Sequence, residues 1–216
     1  MSRYRFEPSS GVSGRYRDTL TGRFVPSATV RRELDRYLDA SDDAARALAR
    51  ALRNREVSLA DWELGMRRQI KNVHLNAVAL ERGGWQNLTP RDYGRAGQII
   101  REQYGYLKNF GVEIASGKQR LDGTLGTRAK LYSQAARTSL YKSKAANMSL
   151  EVTHVRTRRS ARDSCRQCLD LDGKVFRIND PSFPLPGQRI CRANCQCHLE
   201  YLSMGEGDEY QVEELV

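Results

Sequence analysis

Apolar residues recur at helical spacing across residues 27–148 and alternate with polar ones only further on. Leu34, Leu38, Ala45, Leu48 and Leu52 mark a first helix, beginning after Pro26 and Ser27 and reaching about Arg53, with a break expected near Ser41-Asp42. Ser58 followed by Asp61 reads as the start of a second helix, whose stripe is Trp62, Met66, Ile70, Val73, Ala77 and Leu80. Gly83-Gly84 stops it. Thr89 before Pro90 supplies an N-cap with proline at the first helical position, opening a third helix through Ile99, Ile100, Leu107 and Phe110. A polar linker, Gly117 to Gly126, leads to a fourth helix carrying Leu131, Ala135, Leu140 and Ala145.

The period then changes. Leu150 to Arg156 alternates as a half-buried strand should, and Gly173 to Ile178 forms a second strand after an Asp172-Gly173 turn. A proline-rich loop over 181–187 follows, with a short strand from Cys197 to Leu202. Ahead of the helices, the glycine- and arginine-rich start reads as an extended arm with a hairpin turn at Asp18 to Gly22, lying along a neighbour. The expected class is therefore α+β: an arm over 1–26, an antiparallel helical body over 27–148, a β-module over 149–204 and an acidic tail over 205–216.

Composition adds constraints. Of 216 residues, 39% are hydrophobic, enough for a core, and no apolar run reaches the ~18 to 20 residues of a membrane span. The first residues lack the apolar stretch of a secretory signal, so a soluble protein made in a cytoplasm is expected. The net charge of +10, carried mostly by arginine, suits contact with a polyanion or an acidic protein surface.

All five cysteines fall between positions 165 and 197. A disulfide scaffold would spread them and pair them evenly, so clustering of an odd number points to metal. Cys165-Arg-Gln-Cys168 precedes a hairpin rather than opening a βαβ unit, and Cys191, Cys195 and Cys197 follow it. Two ligand pairs on tight turns, separated by a hairpin, are how a small β-unit closes a tetrahedral Zn²⁺ site. Cys165, Cys168, Cys191 and Cys195 are the expected ligands of a structural zinc ion, with Cys197 as alternate and His198 as a sixth candidate. Four thiolates leave no open position for a substrate or water, and their charge calls for the arginines nearby: Arg158, Arg159, Arg162, Arg166, Arg189 and Arg192.

The run Asp163 to Phe176, with its CxxC and Leu171-Asp172-Gly173-Lys174-Val175-Phe176, resembles the Mu F-like head morphogenesis domain of tailed bacteriophages. So do Pro184-Leu185-Pro186 and Asn194-Cys195-Gln196-Cys197. The order of motifs matches over about residues 90 to 202, most closely from 151 to 202. One position departs: Arg192 stands where the family carries histidine, and the preceding Cys191 replaces that ligand. The resemblance implies a minor head protein of the virion, at the portal vertex, in copies set by particle symmetry. Its partners would be the portal protein, the major capsid protein or both, with packaged double-stranded DNA as a further contact and no membrane. The alternative is a zinc-dependent nucleic-acid-binding module.

No Ser/His/Asp arrangement, HExxH, P-loop or GxGxxG occurs, so no catalytic residues are expected. His74 reads as a packing residue on the second helix, and His154 as a surface strand residue.

Overall fold

The computed structural model describes residues 3–9, 12–148, 152–159, 163–178, 180, 182–191 and 195–203. The acidic tail over 205–216, the start of the β-module at 149–151, Arg162 and Arg192 lie outside the described residues. The fold is α+β, with two small antiparallel sheets flanking a helical body.

The four expected helices are present, with two differences. α1 spans Ser27–Arg53 without a break. Ser41 and Asp42 stay helical because both are buried against a distant segment. The Ser41 hydroxyl donates to Ser133 Oγ at 2.9 Å, and Asp42 accepts from Gln134 Nε2 at 2.8 Å. Polar residues that suggest a loop locally are here an inter-helix seam.

α2 spans Leu59–Arg82 from a Ser58 N-cap, and α3 spans Pro90–Ala115 from a full Thr89–Asp92 capping box. The expected fourth helix is two: α4 over Gly123–Gln134 and α5 over Ala136–Ala146. The axis steps at Ala135, where packing of α4 on α1 gives way to packing of α5 on α2. Asp122, in the expected linker, caps α4 through the N–H of Thr124.

The N-terminal segment is not an extended arm. β1 (Tyr4–Ser9), β2 (Val12–Asp18) and β3 (Phe24–Val25) form an antiparallel sheet in that order. The register pairs Phe6 with Tyr16, and their rings meet edge-on at 5.2 Å, both buried. Two aromatics directly opposite one another give this strand pair an apolar face, so it docks on its own chain. The expected turn closes by a hydrogen bond from Gly22 N–H to Asp18 C=O, and Arg3 pairs with Asp18 at 2.5 Å.

Gly83 joins the sheet to the helices. Its φ of 78° is the left-handed cap of α2, and a Cβ there would stand 2.8 Å from Arg5 Cβ and 2.9 Å from its Cα. Gly83→Ala is expected to lower stability by more than about 1 kcal/mol, since neither the backbone angle nor the space admits a side chain. Chemical denaturation of the two proteins measures it.

In the second sheet β4 (Val152–Arg158) lies between β5 (Val175–Arg177) and β6 (His198–Ser203), antiparallel to both. Val155 faces Phe176 on one side and Tyr201 on the other, and all three are buried. That face belongs to one core with Phe6 and Tyr16, Val30, Leu34 and Leu38 of α1, Val73 and Leu80 of α2, and Leu140 of α5. A second core holds the far ends of α1 and α2 together with α3 and α4, around Trp62, Met66, Leu107, Phe110 and Leu125. The sheet thus completes a core that the helices alone would leave open.

His74 is fully buried, with Nδ1 at 2.7 Å from Ser139 Oγ. Burial depresses its pKa from 6.5 to about 4. His74 therefore stays neutral in the fold while the unfolded chain protonates, so its stability contribution is present above pH 6.5 and lost as pH falls toward 4. The loss is worth about 3 kcal/mol. His74→Gln, which can keep a bond to Ser139, is expected to flatten that part of the stability–pH curve relative to the parent. His154, expected at the surface, is buried, with Nδ1 at 2.8 Å from Thr153 Oγ1.

Candidate metal centre

Two turns deliver the cysteines. Cys165 is the N-cap of a short helix, α6 (Arg166–Asp170), which the sequence pattern does not reveal. One helical turn places Cys168 on the same side as Cys165. Gly173, with φ 81°, then turns the chain into β5 while its N–H donates to Thr157 C=O at 2.9 Å. After β5 the proline loop returns the chain: Phe183 stacks on Phe176 at 4.5 Å. Ile190 N–H donates to Gln167 Oε1 at 2.8 Å, tying the second turn to the first. Cys191 lies in that turn, and Cys195 and Cys197 lie just ahead of β6.

The five sulfurs converge. Those of Cys165, Cys168 and Cys191 lie within 4.8 Å of one another, as do those of Cys168, Cys195 and Cys197. Cys168 is common to both groups, at 3.5 Å from Cys191 Sγ and 3.9 Å from Cys195 Sγ. All five are reduced. Four sulfurs at ~2.3 Å from a central ion stand ~3.8 Å apart along a tetrahedral edge, and the two measured separations bracket that value. Cys168, Cys195 and Cys197 are buried, while Cys165 and Cys191 form a half-buried rim. The CxC pair, from which a single sulfur is expected, brings both to the cluster. His198 is in neither group; it opens β6 opposite Arg158.

Charge at the site is organised by Arg189, which is 1% exposed. Its guanidinium donates to Pro184 C=O at 3.0 Å and to Thr157 Oγ1 at 3.1 Å, and reaches Cys168 Sγ at 3.8 Å. Among the described residues it has no carboxylate partner. A buried cation without a carboxylate is favoured by another anion, and the Cys195 thiol, which the Arg189 charge helps to ionise, supplies one.

The thiol acidities follow the same layout. A hydrogen bond from Cys197, joined by the Gly187 N–H and the Arg189 charge, holds Cys195 down to about 4. The anionic neighbour Cys195 drives Cys197 up, and burial drives Cys191 up. Burial would raise Cys165, but N–H groups of Cys168 and Cys191 and the adjoining thiols bring it below its usual value. One thiolate suppressing the next is what a metal-free cluster does, and a divalent cation removes that repulsion.

The other expected arginines act elsewhere. Arg158 pairs with Glu200 at 2.9 Å and Arg159 with Asp172 at 3.7 Å, while Arg166 is exposed. Arg189 was legible only as one basic residue among six. Its distinguishing signal is position, between the proline loop and Cys191, where the chain must fold back onto the first turn. Comparison with protein-family models, with curated proteins and with solved structures finds no match.

Proposed function

We propose that this chain is a non-catalytic structural protein whose cysteine cluster holds one Zn²⁺, and that it serves as a minor head protein of a tailed phage. The observation that carries the reading is the convergence of five sulfurs from two turns beside a buried arginine, within the segment whose motifs resemble the Mu F-like domain. Closed sulfur ligation suits a clip rather than an active site, because thiolates filling the shell leave no position for a reacting group. Cys165, Cys168, Cys191 and Cys195 are the proposed ligands, and Cys197 the alternate. The helical body and N-terminal sheet would supply the surface that docks on portal or capsid subunits, with the basic face toward packaged DNA.

Particle reconstruction tests the role. Phage particles from cells expressing this chain are expected to carry it in a few copies at the portal vertex; particles of normal yield and infectivity that lack it would overturn the assignment. The net charge of +10 favours a second reading, a zinc-dependent nucleic-acid-binding module. That reading requires affinity for free duplex DNA with a steep salt dependence, and no need of a portal.

A further inference from the structure

A cleft of about 510 Å³, lined by none of the cysteines, lies between the start of α1, the end of α5 and strand β6. Its size falls within the range of ordinary ligand sites. Ser27 and Ala28 form one wall, and Arg31, Lys144 and His198 line the interior. A second, smaller recess bordered by Arg31, Lys144 and His198 adjoins it.

Lys144 is 7% exposed, and its ammonium stands among three aromatic faces: Phe6 at 4.7 Å, Tyr16 at 5.0 Å and Tyr201 at 4.6 Å. The rings come from the N-terminal sheet and from β6, so both sheets must be in place to build this wall. Ring faces attract a cation, but they accept no charge-assisted hydrogen bond. Among the described residues neither Lys144 nor Arg31 has a hydrogen-bond acceptor or an ion-pair partner.

The carboxylates nearby are committed elsewhere. Glu200, in the cleft wall, is held by Arg156 at 2.8 Å and Arg158 at 2.9 Å. Buried Glu81 accepts from Ser143 at 2.9 Å and Asn147 at 3.0 Å, and attracts the Lys144 ammonium through space without a direct hydrogen bond among the described residues.

The third component is the N-terminus of α1. Its N-cap is Pro26, which offers no side-chain acceptor, and the first turn holds no acidic residue. Thr29 N–H donates to Pro26 C=O at 2.8 Å, but no side chain caps the N–H groups of Ser27 and Ala28 and no acidic residue offsets the positive end of this 27-residue helix. N–H groups, a guanidinium fork and an ammonium meeting at one cleft are the donor set of an oxyanion site, with Arg31 supplying bidentate geometry.

We propose that this cleft binds a phosphate group, gripped by Arg31, the Lys144 ammonium and the first-turn N–H groups of α1. The group can belong to a small phosphate ester or to a nucleic-acid backbone, and the two sources separate experimentally. The inference rests on the cleft alone and stands whether or not the chain is a phage head protein.

Thermal unfolding of the full, zinc-loaded chain in inorganic phosphate, against chloride at matched ionic strength, is the test. Phosphate at millimolar concentration is expected to raise the melting temperature in a saturable way. Arg31→Gln, at a half-buried site, and Lys144→Met, which keeps the apolar packing, are each expected to weaken phosphate binding at least tenfold. Because Lys144→Met also removes the three ring contacts and the attraction to Glu81, its melting temperature in chloride is taken as its own baseline, and only the increment added by phosphate is compared with the parent. A short DNA duplex that competes with phosphate, and loses affinity in both variants, identifies a backbone phosphate. Phosphate binding without competition identifies a small ester. No phosphate-specific shift, or an equal shift in the parent and both variants, overturns the proposal.

Discussion

Cys168→Ser is expected to abolish stoichiometric zinc binding and to unfold one half of the molecule before the other. Cys168 is the sulfur common to both close groups, so its loss leaves neither complete. Binding of a structural zinc is worth on the order of 10 kcal/mol, comparable with the whole stability of a domain. The damage should not stop at the β-module, because Val155, Phe176 and Tyr201 share a core with Phe6, Tyr16, Leu38, Val73 and Leu140. The core around Trp62, Phe110 and Leu125 contains nothing from the cysteine-bearing segment. Hydrogen exchange should therefore show protection lost in β1, β2, β4–β6 and α5 and retained in α3 and α4. A chelator should reproduce the pattern in the parent protein. Uniform loss of protection would mean that the two cores fold as one unit, and unchanged protection would mean that the metal contributes nothing.

Arg189→Met is expected to carry the next largest effect. It removes the cation beside Cys168 while leaving the thiolates in place, and an uncompensated buried charge costs about 3 to 5 kcal/mol. It also frees Pro184 C=O and Thr157 Oγ1 of their donor, loosening the proline loop. Zinc affinity should fall by roughly 10- to 100-fold, as it does when a residue supporting the ligands is lost. In metal-free protein the destabilisation should shrink only as pH falls toward 4, where Cys195 takes up its proton and the methionine meets less negative charge. Arg189→Lys should recover part of the affinity, because charge survives although the fork that spans three acceptors does not. Titration with a competing zinc indicator gives both numbers.

Helices α2 and α3 were legible in sequence because each announces itself twice, by an apolar stripe and by its termini. Thr89-Pro90 and Gly83 act within a few residues of where they stand. The cysteine cluster was legible for a similar reason, since cysteine serves few purposes when five occur in so short a span. What escaped depends on partners far along the chain. Ser41 and Asp42 look like a helix break until Ser133 and Gln134 are brought against them. Phe6 and Tyr16 look too sparse for a core until the register places them opposite one another and a neighbouring sheet covers them. Arg189 looks like any surface arginine until the proline loop folds it inward. The boundary at 149 separates stretches of different periodicity, yet the core runs through it.

X-ray absorption at the zinc edge, paired with elemental analysis of the purified chain, tests the central claim most directly. About one zinc per chain, in a shell of four sulfurs at ~2.3 Å, is the predicted result. Protein that folds without metal, or a shell dominated by nitrogen and oxygen, would contradict it.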